Sequence, residues 1–339
     1  MMKSGRTRWY APSAIAVSLV VAGVFVATKG TGCGGVGRDG GAKAPGDPRS
    51  SGSLPADEPY EPRDLDASVV FAVIGDYGVD SANALRVARL VAGWNPDFIV
   101  TTGDNNYPSG GADTIDANIG KRYARYIGNY KGTYGAGSET NRFWPAPGNH
   151  DWLAEGLRPY LDYFTLPGNE RYYDVARGLV HLFAVDSAPN EPDGITSDSV
   201  QARWLQSKLA ASRACFKVVY FHHPAYSSSS VHGSTLAMRW SFAAWGADAV
   251  LAGHDHVYER LDVDGIPYLT VGLGGASLYG FAESLPGSTT RFNGDFGAVR
   301  VTVDRSSMTF DFVDAGGHTI DSDTRHKDCV VRTEVRTPP

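Results

Sequence analysis

Several short apolar runs in this chain end abruptly in clusters of glycine with Asp, Asn, His or Tyr, and that repeated junction limits what it can fold into. Ser68–Ile74 runs into Gly75-Asp76-Tyr77-Gly78, and Asp97–Thr101 into Gly103-Asp104-Asn105-Asn106-Tyr107. Lys217–Phe221 leads to His222-His223-Pro224, and Ala249–Ala252 to Gly253-His254-Asp255-His256. A fifth cluster, Gly148-Asn149-His150-Asp151, lacks such a run. Short apolar runs bounded by turn residues read as buried strands, and open α/β sheets build ligand sites at the carboxyl ends of their strands. Glycine beside a polar residue permits a sharp turn and close approach of the backbone to a ligand.

The rest of the body fits that frame. Helices are expected over Ser81–Trp94, over Ser199–Ser212 (apolar Val200, Trp204, Leu205 and Leu209 share one face) and near Thr235–Trp245. Leu179–Asp186 reads as another strand, and Val257–Val263, Pro267–Gly272, Ala298–Val303 and Met308–Val313 form a closing β-rich stretch. Alternating β and α followed by a strand cluster predicts α/β layers around a central sheet or sandwich, in one domain over 67–330. The aromatic stripe Trp240–Trp245 and His181 read as core, His318 and His326 as surface, and Gly132–Phe143 as a loop near the third cluster.

Composition bounds the alternatives. With 339 residues and 42% hydrophobic content the chain has ample material for a core, and disorder throughout is excluded. Its 31 basic against 37 acidic residues leave a charge of −6, which argues against nucleic-acid binding as a main role.

The amino-terminal stretch reads differently. Residues 1–33 carry Lys3, Arg6, Arg8 and Lys29 and no acid, around a largely apolar run from Ala11 to Ala27. That pattern predicts an export signal, placing the body in the cell envelope or outside. It could be cleaved or retained as an uncleaved membrane anchor. Gly30-Thr31-Gly32-Cys33 resembles a lipoprotein cleavage box with Cys33 as the lipidated residue, although Gly30 stands where Leu is usual. Residues 34–66, rich in Gly and Pro, read as a disordered tether. If Cys33 is modified, Cys215 and Cys329 remain either as a bridge tying the tail to the body or as two free thiols.

Each cluster alone is weak evidence. Gly-Asp after a strand is usually a turn, and a lone His222 would ordinarily be a satisfied core histidine. His254-x-His256 says more, since alternate residues of an extended segment share a side. Together the clusters offer two carboxylates, a phenol, an amide oxygen and three imidazoles, a mixed set that suits two metal ions rather than one tetrahedral zinc.

The ordered motifs Gly-Asp-x-Gly, Gly-Asp-x-x-Tyr, Gly-Asn-His-Asp, Val-x-x-His and Gly-His-x-His resemble the calcineurin-like metallophosphoesterase superfamily, and specifically its purple acid phosphatases of the small, tartrate-resistant type. Tyr107 carries that distinction, because the protein Ser/Thr phosphatases of the superfamily have an Asp-Arg pair after the second motif. The resemblance implies a four-layer αββα sandwich. It further implies that Asp76, Tyr107 and His256 bind a first metal, Asn149, His222 and His254 a second, and that Asp104 bridges them. His223 is read as a non-ligand beside the site. His150 and His232 match histidines that would bind phosphate or protonate the leaving group, and Asp151 either orients His150 or is a turn residue. Val231 stands where relatives often have an acidic or imidazole side chain.

The resemblance also implies Fe(III) paired with Fe(II), Zn(II) or Mn(II). Hard phenolate and carboxylate donors favour the trivalent ion, while amide and imidazole suit the divalent one. The expected activity is acid hydrolysis of phosphate monoesters through metal-bound hydroxide, by a monomer. A divalent-metal phosphodiesterase or nucleotidase, and a non-catalytic phosphate-binding module, remain as alternatives.

Overall fold

The computed structural model describes residues 68–329. The expected export signal, Cys33 and the whole of the tether lie outside the described residues. No helix among those described is long and apolar enough to cross a membrane.

Among the described residues thirteen strands form two sheets. The first holds β1 (Ser68–Ile74), β2 (Phe98–Thr101), β3 (Phe143–Pro145), β11 (Gly297–Asp304), β12 (Ser307–Asp314) and β13 (Thr319–His326), in the order β13-β12-β11-β1-β2-β3. The second holds β4 (Tyr173–Arg177), β5 (Val180–Ala184), β6 (Phe216–Tyr220), β7 (Ala249–Ala252), β8 (Tyr258–Val263), β9 (Ile266–Val271) and β10 (Ser288–Phe292), in the order β10-β8-β9-β7-β6-β5-β4. β1, β2 and β3 run parallel, as do β5, β6, β7 and β9. The antiparallel strands lie outside these parallel groups.

Side-chain alternation assigns the faces. On the second sheet Leu182, Val218, Tyr220 and Leu251 join Phe71, Val73, Val299 and Val301 of the first in one core between the sheets. Their neighbours Phe183, Val219, Phe221 and Val250 point the other way and pack with Ala202, Leu205 and Leu209. Those last residues belong to α4 (Val200–Ala211), which covers the outer face. On the far side α1 (Ala82–Gly93) buries Val87 and Val91, and Ser81 caps it by accepting the Ala84 N–H at 3.1 Å. Central strands buried on both faces read as continuous apolar runs. The layers are therefore helix, sheet, sheet, helix, the expected αββα order.

Between β2 and β3 the chain makes a short helical passage: a π turn (Asp116–Gly120), α2 (Lys121–Tyr123) and a 3-10 turn (Ala124–Tyr126). The loop over Gly132–Phe143 is pinned to it. Asp116 accepts from Thr133, Tyr130 and Tyr163, the last a residue of α3 (Arg158–Tyr163).

One expected helix is absent. Thr235–Trp245 contains only a 3-10 turn, Leu236–Met238. Burial there alternates, with Met238, Trp240 and Phe242 inside and Arg239 and Ser241 exposed. A helix would bury residues three and four apart, so the aromatics reach the core only by uncoiling the chain. The Trp240 indole N–H then finds the carbonyls of Ile195 and Ala237 at 3.0 and 2.8 Å.

Cys215, just before β6, and Cys329, just after β13, form a disulfide with Cα atoms 5.4 Å apart. It joins the two sheets. Beside it the Lys327 ammonium pairs with Asp248 at 2.6 Å.

Candidate metal centre

Two groups of adjacent parallel strands deliver the clusters to one place. Asp76 follows β1, Asp104 and Tyr107 follow β2, and Asn149 follows β3; His222 follows β6, and His254 and His256 follow β7. Asp76, Asp104 and His254 all have left-handed backbones, with φ of 55°, 52° and 69°. Such conformations in non-glycine residues cost on the order of 1–3 kcal/mol and persist only where surrounding bonds over-determine them. Here the Asp76 N–H donates to Gly103 O at 3.1 Å, and the His254 N–H donates to the Asp76 carboxylate at 2.9 Å. The glycines make the crowding tolerable. A Cβ at Gly148 would collide with the backbone N and carboxylate of Asp104, and one at Gly253 would sit 2.7 Å from Asp76 Oδ2.

The expected ligand atoms converge in two sets. In the first, the Tyr107 hydroxyl lies 2.8 Å from Asp104 Oδ2, 3.1 Å from Asp76 Oδ1 and 3.2 Å from His256 Nε2. His256 Nε2 is also 3.2 Å from Asp76 Oδ1. In the second, His222 Nε2 lies 2.9 Å from Asn149 Oδ1, 3.1 Å from His254 Nδ1 and 3.3 Å from Asp104 Oδ1. Asp104 thus turns one oxygen to each set.

These contacts fit cations better than hydrogen bonds. His222 Nδ1 is 2.8 Å from Thr102 O, so it must donate there, and Nε2 is a lone pair in the neutral ring and a second donor in the charged one. That lone pair faces an amide oxygen and a carboxylate oxygen, both acceptors. His256 turns its Nε2 to Asp76, with its Nδ1 2.6 Å from Ser277 Oγ, a hydroxyl that can donate or accept. A proton or a cation must reconcile so many acceptors. Ligands about 2.1 Å from one ion and at right angles are about 3 Å apart, which is the spacing seen in both sets.

The electrostatics agree. Burial resists charge on His222, yet Asp104 and Asp76 hold its imidazole up at about 9. Burial, with those same carboxylates, pushes the Tyr107 phenol far above its ordinary range, so only a bound cation would make it a phenolate. His254 moves the opposite way, lowered by burial and by His222 beside it. Asp76, Asp104 and His222 are buried, and their ligand atoms lie within 4.8 Å of one another; His222, His223 and His254 form a second such group.

Two histidines flank the centre. The His150 ring packs on Tyr107 at 4.4 Å, with Nδ1 on Pro108 O at 2.5 Å and Nε2 3.9 Å from Asp104 Oδ2. The exposed His232 stacks on His254 at 4.1 Å.

Asp151 does not orient His150. Its buried Oδ2 accepts the N–H groups of Gly148 and Asn105 and the Asn105 amide at 2.8–3.1 Å, closing the loop that presents Asn149. The Pro108 carbonyl holds His150 instead. Burial, followed by the nearby Asp104 charge, raises Asp151 to about 7.

Sequence reasoning overlooked the groups that steady the ligands. Ser277 and Tyr279 belong to the glycine-rich stretch after β9, and Tyr279 stacks on His256 at 4.1 Å and 13°. That stretch is tied to the first cluster by Gly274 N–H to Gly75 O at 2.9 Å. Its glycine density was the available signal. Ser187, after β5, touches both His222 and His223.

A layered α/β sandwich with two donor sets sharing one carboxylate defines a metal-dependent phosphoesterase, and the chain belongs to the calcineurin-like phosphoesterase family, whose model matches residues 69–258. Within that family it is similar to purple acid phosphatase 17 of Arabidopsis thaliana, 28% identical over 63% of this chain and 70% of that one. It is 27% identical to human tartrate-resistant acid phosphatase type 5, over 60% of this chain and 72% of the relative. Among solved structures the yellow lupin purple acid phosphatase PPD1 superposes with a TM-score of 0.63 at 19% identity, over 78% of this chain and 54% of that one. The chain therefore spans about half of the lupin enzyme. GAP50, described as the anchor in the inner membrane complex of Plasmodium, shares the fold with a TM-score of 0.61 at 17% identity, over 77% of this chain and 90% of that one.

Proposed function

We propose that this chain is an exported dinuclear acid phosphatase that hydrolyses phosphate monoesters. The observation that carries the reading is Asp104, with one carboxylate oxygen in each donor set and Tyr107 in the first. Asp76, Tyr107 and His256 would hold Fe(III), and Asn149, His222 and His254 would hold Fe(II), Zn(II) or Mn(II). When bound, the pair would supply Lewis acidity, activating water and neutralising charge on the phosphoryl oxygens.

The chain's own groups supply the rest. The Pro108 carbonyl can only accept, so His150 Nδ1 carries a proton and its Nε2 has one to give only as imidazolium. In that charged form it would supply the proton for the leaving alkoxide. On the other flank, the exposed His232, seated on the His254 ring, would meet a phosphoryl oxygen or the leaving group. Residues 67–330 would form the catalytic domain, with residues 34–66 holding it off a membrane to which Cys33 or an uncleaved segment attaches it. Loss of membrane attachment in Cys33→Ala tests the lipid anchor, and soluble release of the wild type would end it.

The deciding experiment is elemental analysis with a visible spectrum of aerobically purified full-length protein, then pH–rate profiles on p-nitrophenyl phosphate and its diester. Two metals per chain, a violet colour and acid monoesterase activity are expected. A colourless, iron-free, active protein would remove the Fe(III) assignment, and a preference for the diester would replace monoesterase by diesterase.

A further inference from the structure

His223 lies beside the second donor set, its ring 4.4 Å from that of His254 and 4.9 Å from that of His222. Position alone would allow it as a further ligand. The hydrogen bonds of Ser187 decide otherwise. Ser187 Oγ receives the backbone N–H of His223 at 2.8 Å and of His222 at 3.2 Å. Backbone N–H groups can only donate, so both hydroxyl lone pairs are taken. The same oxygen lies 2.9 Å from His223 Nδ1. Were that nitrogen protonated, Ser187 would have to accept three hydrogens on two lone pairs. The hydroxyl proton must therefore point to His223 Nδ1, and the imidazole must carry its own proton on Nε2.

We propose that His223 is a specificity-determining hydrogen-bond donor to a phosphoryl oxygen of the substrate, held by Ser187 as the neutral Nε2–H tautomer. Neither ring nitrogen then has a lone pair to offer a metal: Nδ1 accepts from Ser187, and Nε2 bears the proton. Among the described residues no protein acceptor takes that N–H. His150 differs, since its Nε2 donates only when the ring is charged. His223 would grip the phosphate whether or not the acid on the opposite flank is protonated. The role rests on the phosphatase reading above; the tautomer does not.

The test uses zinc-loaded full-length protein labelled with 15N at histidine. Long-range 15N–1H correlation spectra should show His223 protonated at Nε2 and bare at Nδ1, and Ser187→Ala should lose that preference. H223Q keeps an N–H near the same position and should retain competitive inhibition by inorganic phosphate close to that of the wild type. H223A and H223N should weaken phosphate inhibition roughly 10- to 100-fold, the usual cost of a lost hydrogen bond to a charged group. Their KM should rise more than kcat falls, with two metals per chain retained throughout. A His223 protonated at Nδ1, or an ion lost from H223A, overturns the assignment. Unchanged phosphate inhibition in H223A beside an active wild type removes this role alone. A wild type that binds no phosphate removes it together with the phosphatase reading.

Discussion

Reducing the Cys215–Cys329 bridge should lower stability by an amount that the chain length fixes. The bond closes a loop with a sequence separation of 114 residues. In the chain-entropy treatment, opening a loop of that size frees about 16 cal/mol/K in the unfolded state, or about 5 kcal/mol at 25 °C. About 2.1 cal/mol/K of unfolding entropy per residue over roughly 260 ordered residues gives about 0.55 kcal/mol/K. The expected fall in Tm is therefore roughly 9 °C. Little of the native structure should change, because neighbouring contacts fix the tail independently. The Cys329 N–H donates to Arg305 O at 3.0 Å, the Lys327 N–H to Ser306 O at 2.9 Å, and Lys327 pairs with Asp248. Calorimetry of the metal-loaded protein with and without a phosphine reductant, beside the Cys215→Ser/Cys329→Ser double variant, measures the effect. A fully reduced protein that melts at the wild-type temperature would refute the reasoning. So would two titratable thiols in the denatured protein before any reductant is added.

Other outcomes follow from the centre itself. Tyr107→Phe should abolish the violet band while leaving the second donor set intact; a persisting band would mean that another phenol binds the iron. Asp104→Ala should cost both metals, and retention of two per chain on elemental analysis would show that it is not shared. Ser277→Ala removes the 2.6 Å partner of His256 Nδ1 and should weaken the first metal ~10- to 100-fold against a chelator; unchanged resistance would make that contact incidental. For pH, Asp151 (raised to about 7) and Asp186 (raised well above its usual range) are driven up by burial above all. A raised folded-state pKa gives stability that is complete below the unfolded value near 3.8 and is lost as pH climbs through the folded value. His223 and His254, lowered by burial, act in the opposite sense below the unfolded histidine value. Asp151→Asn in the chelated protein should therefore gain less Tm, or lose more, than the wild type on acidification from pH 7.5 to 5, and an identical slope would contradict the sign.

Most of the centre was legible because each ligand follows an apolar strand or sits in a compact polar motif, so sequence order carried spatial order. What escaped has physical reasons. β10 and β13 are polar strands, each at an edge of its own sheet, defined by backbone pairing with β8 and β12 rather than by burial. An alternating apolar core along β13 does not exist to be read. The segment 235–245 carries helix-tolerant residues, and tertiary burial of Trp240 and Phe242 overrode them. Asp151 sits beside His150 in sequence yet faces inward, because the Gly148 and Asn105 N–H groups needed an acceptor more than the imidazole did. Ser187 and Ser277 act through single hydroxyl contacts, and no spacing rule distinguishes such a serine from an ordinary loop residue.

Strand β6 has one consequence for how the enzyme ages. Cys215 precedes its first residue and His222 follows its last, so this rod of about 20 Å is pinned to the opposite sheet at both tips: by sulfur at one, by the would-be ion cluster at the other. The core shared by the two sheets remains when both pins are lost, so reductant and chelator applied together should lower Tm by more than either does alone.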